Sequence, residues 1–154
     1  MKGLPKVLFV DDQAEVLEEL KVSVSDLCDP FSATTSEEGL EIFEKEGPFT
    51  VVVSDQILPG MDGSDFLARV IRRDPHVSTM LLTGHANYSD AMTAVNEGHV
   101  FRLLEKPYSP AALREGVLYL DQLRRGQHGN PLVVLRRRAH CVCACTAAVT
   151  VRRR

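Results

Sequence analysis

Five short apolar runs punctuate residues 1–123, and each is followed by a stretch with helical spacing. The runs cover residues 6–10, 31–34, 50–54, 77–82 and 100–104. They are too short for helices and rich in β-branched residues, as expected of strands buried on both faces. Between them, apolar residues recur at helical spacing over 13–27, from 36 to the Gly47-Pro48 stop, and over 64–73, 88–97 and 109–123. Strand-helix alternation with short connections predicts an α/β fold, (βα) repeated five times, with a parallel sheet covered on both faces. Right-handed crossovers leave few topologies open. The 31–34 run is the weakest of the five.

Local punctuation supports the same reading. Asp29-Pro30 and Asp74-Pro75 break helices, and Gly98 is a helix C-cap signal. Ser36 reads as an N-cap with Glu37 and Glu38 in the first turn. Ser109-Pro110 caps and starts the last helix, with proline at its favoured first position.

Charge divides the chain. Residues 1–123 hold all 21 acidic residues and 10 of the 18 basic ones, a net charge of −11. Residues 124–154 hold eight arginines and no acid. An acidic body fits a cation site and argues against nucleic-acid binding, while the basic tail could touch nucleic acid or acidic lipid. No apolar run is long enough to span a membrane. The N-terminus lacks the apolar core of a signal peptide, so a cytoplasmic protein is expected. Cys28 is alone in the body, which excludes a secreted disulfide framework.

Polar groups sit where four of the strands end. The first ends in Asp11 and Asp12, the third in Asp55, the fourth in Thr83, the fifth in Lys106. In a parallel sheet these ends share one edge, the place where open α/β sheets bind ligands. Taken singly, Asp-Asp is often a helix cap, Thr-Gly an ordinary turn, and Lys-Pro a chance pair. Together their positions are specific. Carboxylates gathered at one edge repel and need a cation. Hard oxygen ligands suit Mg²⁺, which accepts one or two carboxylates plus phosphate oxygens. The cation and a lysine would neutralise a phosphoryl group, to which threonine donates a hydrogen bond. A carboxylate can itself act as nucleophile and form an acyl phosphate.

Val-Asp-Asp-Gln, Ser-Asp-Gln-Ile-Leu-Pro-Gly-Met-Asp-Gly, Leu-Leu-Thr-Gly-His and Leu-Leu-Glu-Lys-Pro resemble the signature of response-regulator receiver domains of two-component signalling. The resemblance covers roughly residues 5–124 and implies a flavodoxin-like strand order 2-1-3-4-5. It implies Asp55 as phosphoacceptor. Asp12 and Asp55 would be direct Mg²⁺ ligands, with Asp11 acting through water and Ile57 through its backbone carbonyl. Thr83 would be the switch hydroxyl, Gly84 the small residue whose N–H faces the phosphoryl group, and Lys106 the ion-pairing lysine in a cis bond to Pro107. Asp62 and Gly63 would shape the loop after the acceptor. Gln56 and His85 flank the site where the family tunes phosphoryl lifetime, or else are solvated loop residues.

The resemblance also implies partners. A sensor histidine kinase or a histidine phosphotransfer protein would donate the phosphoryl group. A downstream effector or a second copy would meet the face of the fourth helix, fifth strand and fifth helix. The chain would catalyse only its own phosphorylation and dephosphorylation. It departs from the common pattern at Leu103, where most receivers carry a switch aromatic; Phe101 sits two residues earlier. The run Asn96-Glu97-Gly98-His99-Val100-Phe101-Arg102 resembles the subgroup joined to HD-type phosphodiesterases. Two alternatives stay open: a receiver-like binding module that works without phosphorylation, and a Mg²⁺-dependent aspartyl phosphatase. The latter would want an acid where Ile57 stands.

Residues 125–154 are expected to be a disordered extension or non-native residues. Cys141, Cys143 and Cys145 with His140 are spaced too closely for a usual zinc site. The apolar run 132–135 is a candidate to join a sheet edge or a partner.

Overall fold

The computed structural model describes residues 3–124 and 133–135. The elements, in order, are β1 (Lys6–Val10), α1 (Ala14–Val24), β2 (Asp29–Ala33), α2 (Ser36–Glu46), β3 (Val51–Asp55) and α3 (Gly63–Arg73). After them come β4 (Ser78–Thr83), a 3₁₀ turn (His85–Asn87), α4 (Tyr88–Asn96), β5 (Arg102–Glu105), α5 (Pro110–Arg124) and β6 (Val133–Leu135). Every described strand pairing is parallel, and the order is β2-β1-β3-β4-β5-β6. The expected five-strand order 2-1-3-4-5 is present, extended at one edge by β6.

Strand periodicity separates two apolar cores. Leu8, Val10, Val52, Leu81 and Leu103 pack on the side that carries Phe43, Phe66, Leu67, Val70 and Ala94. Val7, Phe9, Val51, Val53, Met80, Leu82 and Leu104 pack on the opposite side, against Leu17, Leu20, Leu113, Val117 and Leu120. Burial of both faces is why these strands read as continuous apolar runs rather than as alternating ones. The arrangement holds the carboxyl ends of β1, β3, β4 and β5 along one edge.

The boundaries differ from expectation in three places. The N-cap of α2 is Thr35, not Ser36. Thr35 has extended backbone, and its hydroxyl accepts a hydrogen bond from the Glu38 N–H at 3.1 Å. Ser36 already lies within the helix and is buried. α1 ends at Val24, and Asp29-Pro30 starts β2 rather than merely breaking the helix. Proline fits there because β2 is an edge strand, where a missing N–H costs little. β5 spans Arg102–Glu105 rather than 100–104, following the Gly98 ending of α4. Gly98 takes φ +82°, with Gly98 N–H donating to Val95 and His99 N–H to Ala94, a Schellman ending. The Ser109 cap of α5 is as expected, its hydroxyl accepting from the Ala112 N–H at 3.1 Å. The 3₁₀ turn had no separate signal.

The run 132–135 contributes β6, with Arg102, Leu103 and Leu104 in register with Val133, Val134 and Leu135. The cysteine-rich segment and the remaining tail expectations lie outside the described residues.

The loop after β3 closes on a single tight contact. The Gly63 N–H donates to the Gln56 carbonyl at 2.8 Å. A Cβ on Gly63 would lie 1.9 Å from the Asp55 carbonyl oxygen. Gly63→Ala must therefore push the loop off Asp55. An overpacking cost of about 2 kcal/mol is expected in urea unfolding. Wild-type stability in that variant would contradict the account of this turn.

Candidate functional site

Asp11 follows β1 directly, and its N–H donates to the Ala33 carbonyl at 3.2 Å. This bond pins the residue across the β1–β2 end. Asp55 is the last residue of β3 and is largely buried. Behind it, the buried Ser54 hydroxyl donates to the Asp55 carbonyl at 2.9 Å. The adjacent Gln56 N–H donates to the Leu82 carbonyl at 2.9 Å, tying the start of the loop to β4. Lys106 is placed by its own N–H, which donates to the Thr83 carbonyl at 2.7 Å. The Lys106-Pro107 bond is cis, as the resemblance implied.

These anchors converge on one cluster. Carboxylate oxygens of Asp11, Asp12 and Asp55 all lie within 4.8 Å of one another. Lys106 Nζ lies 3.0 Å from Asp55 Oδ1 and 3.9 Å from Asp11 Oδ2. Asp12 is exposed, whereas Asp11 is buried. One Asp11 oxygen accepts from the Gln13 N–H at 2.9 Å, and the other, Oδ2, has no hydrogen-bond partner. Burial, chiefly, raises the Asp11 pKa, and the neighbouring Asp55 carboxylate adds to the rise. The Gln13 N–H and the Lys106 ammonium oppose it.

Three carboxylates facing one ammonium leave an excess of negative charge, and a buried carboxylate oxygen lacks a donor. Both fit a hard divalent cation with an oxygen donor set. Among the described residues no other group of three acidic, histidine or cysteine side chains is so placed.

The remaining expected residues fall as follows. Thr83 is fully buried at the end of β4, its hydroxyl donating to the Gly84 carbonyl at 3.2 Å. Gly84 faces open space: an added Cβ would meet no atom within 4 Å. Ile57 is exposed on the loop after Asp55. Gln56 is not a solvated loop residue, since it is buried, with Oε1 lacking a hydrogen-bond partner. His85 opens the 3₁₀ turn, and its side chain lies outside the described part of the structure. Phe101 is half-buried in the core on the α1 and α5 side, with Tyr108 and Tyr119. Leu103 packs in the opposite core. Thr83 follows Leu81 by two along β4 and so shares the face of Leu103, not that of Phe101.

Sequence reasoning passed over Tyr108 and Ser54. Tyr108 lies two residues after Lys106, and burial pushes its phenol up to about 12, with the Asp11 and Asp55 charges adding to the rise. Its ring packs against the core on the α1 and α5 side. An aromatic directly after Lys-Pro was the available signal. For Ser54 there was none, because a hydroxyl inside a buried strand shows its purpose only when its partner is known.

Residues 7–118 match the response regulator receiver domain family. The chain is 31% identical over 132 residues to the response regulator protein FleR of Pseudomonas aeruginosa, covering 84% of this chain and 28% of FleR. A response regulator receiver domain protein from Clostridium thermocellum is similar in structure, with TM-score 0.76 and 30% identity. That match covers 81% of this chain and all of the other. The receiver domain of an HD domain-containing protein from Pseudomonas fluorescens Pf-5 gives TM-score 0.75 at 26% identity. It covers 82% of this chain and 93% of the other, in keeping with the subgroup resemblance. The chain spans less than half the length of the first curated relatives it matches, from 23% to 44%. No described helix is long and apolar enough to cross a membrane. With its strand order, its acidic cluster beside Lys106 and a family match running from β1 into α5, the chain belongs to the response regulator receiver domains of two-component signalling.

Proposed function

We propose that Asp55 is the phosphoacceptor of this receiver, drawing on the phosphohistidine of a sensor kinase or a histidine phosphotransfer protein. The observation that carries this reading is the 3.0 Å approach of Lys106 Nζ to Asp55 Oδ1 within the carboxylate cluster. An Asp55 carboxylate oxygen attacks phosphorus, the P–N bond to imidazole breaks, and an acyl phosphate remains on Asp55. Lys106 holds Asp55 before transfer and pairs with a phosphoryl oxygen afterwards. The Thr83 hydroxyl turns from the Gly84 carbonyl to donate to another phosphoryl oxygen, and the Gly84 N–H faces the same group.

Asp11, Asp12, Asp55 and the Ile57 carbonyl would hold Mg²⁺. Bound there, it would supply neutralisation of the negative charge that builds on the phosphoryl oxygens. Gln56 and His85 are the candidates for setting phosphoryl lifetime. The new bonds at Thr83 and Lys106 bias an inactive–active equilibrium of the domain. The α4–β5–α5 face then meets an effector, and the exchange is expected in the cytoplasm. An aspartyl phosphatase would want an acid at the position of Ile57, which is apolar and exposed.

Incubation with MgCl₂ and acetyl phosphate, followed by intact mass, tests this. The wild-type chain should gain the mass of one phosphate, and Asp55→Asn should gain none. Continuous phosphate release from unrelated monoesters would favour the phosphatase. No reaction at all would favour a module that works by constitutive contacts.

A pH dependence follows from Asp11. Its carboxyl has a raised pKa in the folded protein, so the group favours folding most at low pH. That contribution is lost as pH rises through the raised value. Cation binding needs the deprotonated form. The rise in Tm caused by millimolar MgCl₂ should therefore be larger at about pH 7.5 than at about pH 5. An equal rise at both would contradict the assignment of Asp11 to the cation site.

A further inference from the structure

Next to the acceptor, Gln56 has its main chain fully committed and its side chain unmatched. Its N–H donates to the Leu82 carbonyl at 2.9 Å, and its carbonyl accepts from the Gly63 N–H at 2.8 Å. The residue is 4% exposed, and its side-chain Oε1 has no hydrogen-bond partner. A buried carbonyl without a donor costs free energy, and few are kept in a folded protein. Register shows which donor lies beside it. Asp55 pairs with Leu82 across β3 and β4, so the next rung sets Gln56 beside Thr83. Alternation puts both on one face: Gln56 follows Val52 and Ser54 by even steps, and Thr83 follows Leu81. Val52 and Leu81 belong to the same core. Thr83 is fully buried. Its hydroxyl donates to the Gly84 carbonyl at 3.2 Å, longer than the usual O–H···O bond of about 2.7–2.8 Å. A donor held in a long bond and an acceptor with none thus share the end of one face, on strands about 4.8 Å apart.

We propose that Gln56 is a positioning residue for the Thr83 hydroxyl, its side-chain carbonyl competing with the phosphoryl group for that donor. The inference rests on the reading of Asp55 as phosphoacceptor and deepens it. Rotation about the Thr83 Cα–Cβ bond moves the hydroxyl among three staggered positions. In the unphosphorylated chain two carbonyls can accept its proton, that of Gly84 and that of the Gln56 side chain. After phosphorylation an oxygen of the acyl phosphate is a third acceptor, and its charge makes the stronger bond. An acceptor that serves only the resting state lowers the share of chains whose hydroxyl is turned to Asp55. Gln56 thus sets how strongly the domain resists the phosphorylated state, without touching phosphorus itself.

The test is a beryllofluoride titration in MgCl₂, followed by fluorine NMR, on the full chain and on Gln56→Met. Methionine matches glutamine in length and is only a weak acceptor. Removing the competitor should tighten beryllofluoride binding about five-fold, the worth of one net hydrogen bond. The same comparison is repeated in a Thr83→Ala background, where Asp55 and Lys106 still supply the anion site. There the two chains should bind equally, because no hydroxyl remains to compete for. A change in packing alone would carry over into that background. Binding that is unchanged or weaker in Gln56→Met overturns the proposal, and so does an equal gain with Thr83→Ala. Gln56→Leu is the second variant. Unfolding of both variants overturns the proposal too, because Oε1 makes no bond that holds the resting fold. A wild type that takes up neither beryllofluoride nor phosphate from acetyl phosphate removes Asp55 as acceptor. Wild-type uptake with no effect of Gln56→Met removes only the role of Gln56, so the two failures are told apart.

Discussion

Three carboxylates confined within 4.8 Å, with one of them buried, are a repulsive arrangement that the rest of the molecule has to hold together. Lys106 offsets part of the repulsion, lying 3.0 Å from Asp55. The remainder is carried by backbone anchoring: Asp11 to Ala33, Gln56 to Leu82, Lys106 to Thr83. Each of these bonds crosses between neighbouring strands, so the charged group cannot spread without breaking the sheet's own pairing. Two apolar cores clamp that sheet from either side. The excess charge left in place fits a hard divalent cation.

Much of this was legible in the chain because the sheet is parallel and doubly covered. Strands buried on both faces announce themselves as runs such as Val51-Val52-Val53, and the polar residue that ends each run marks the ligand edge. Asp11, Asp12, Asp55 and Lys106 could therefore be placed together before any geometry was known. Features that depend on backbone conformation, or on what a side chain meets once it is buried, were not legible. Thr35 rather than Ser36 caps α2 because backbone conformation, not residue type, selects the cap. Ser54 left no pattern, because its hydroxyl donates to the Asp55 carbonyl from inside a buried strand; Tyr108 left only the aromatic that follows Lys106-Pro107. Asp29-Pro30 read as a helix breaker ahead of the strand, and the edge position of β2 is what lets both residues sit inside it.

The aromatic position shows how far a family pattern carries. Leu103 occupies the place where receivers commonly have an aromatic, and it is packed into the core on the same face as Thr83. Phe101 lies in the other core, on the far side of the sheet. A buried aliphatic thus stands at the position where most receivers carry an aromatic.

The most direct measurement is a crystal structure with Mg²⁺ and beryllofluoride. The account predicts beryllofluoride on an Asp55 carboxylate oxygen, Lys106 and Thr83 in contact with its fluorines, and the cation held by Asp12 and Asp55. A structure with the cation bound and Asp55 bare, or with beryllofluoride on any other side chain, would contradict it.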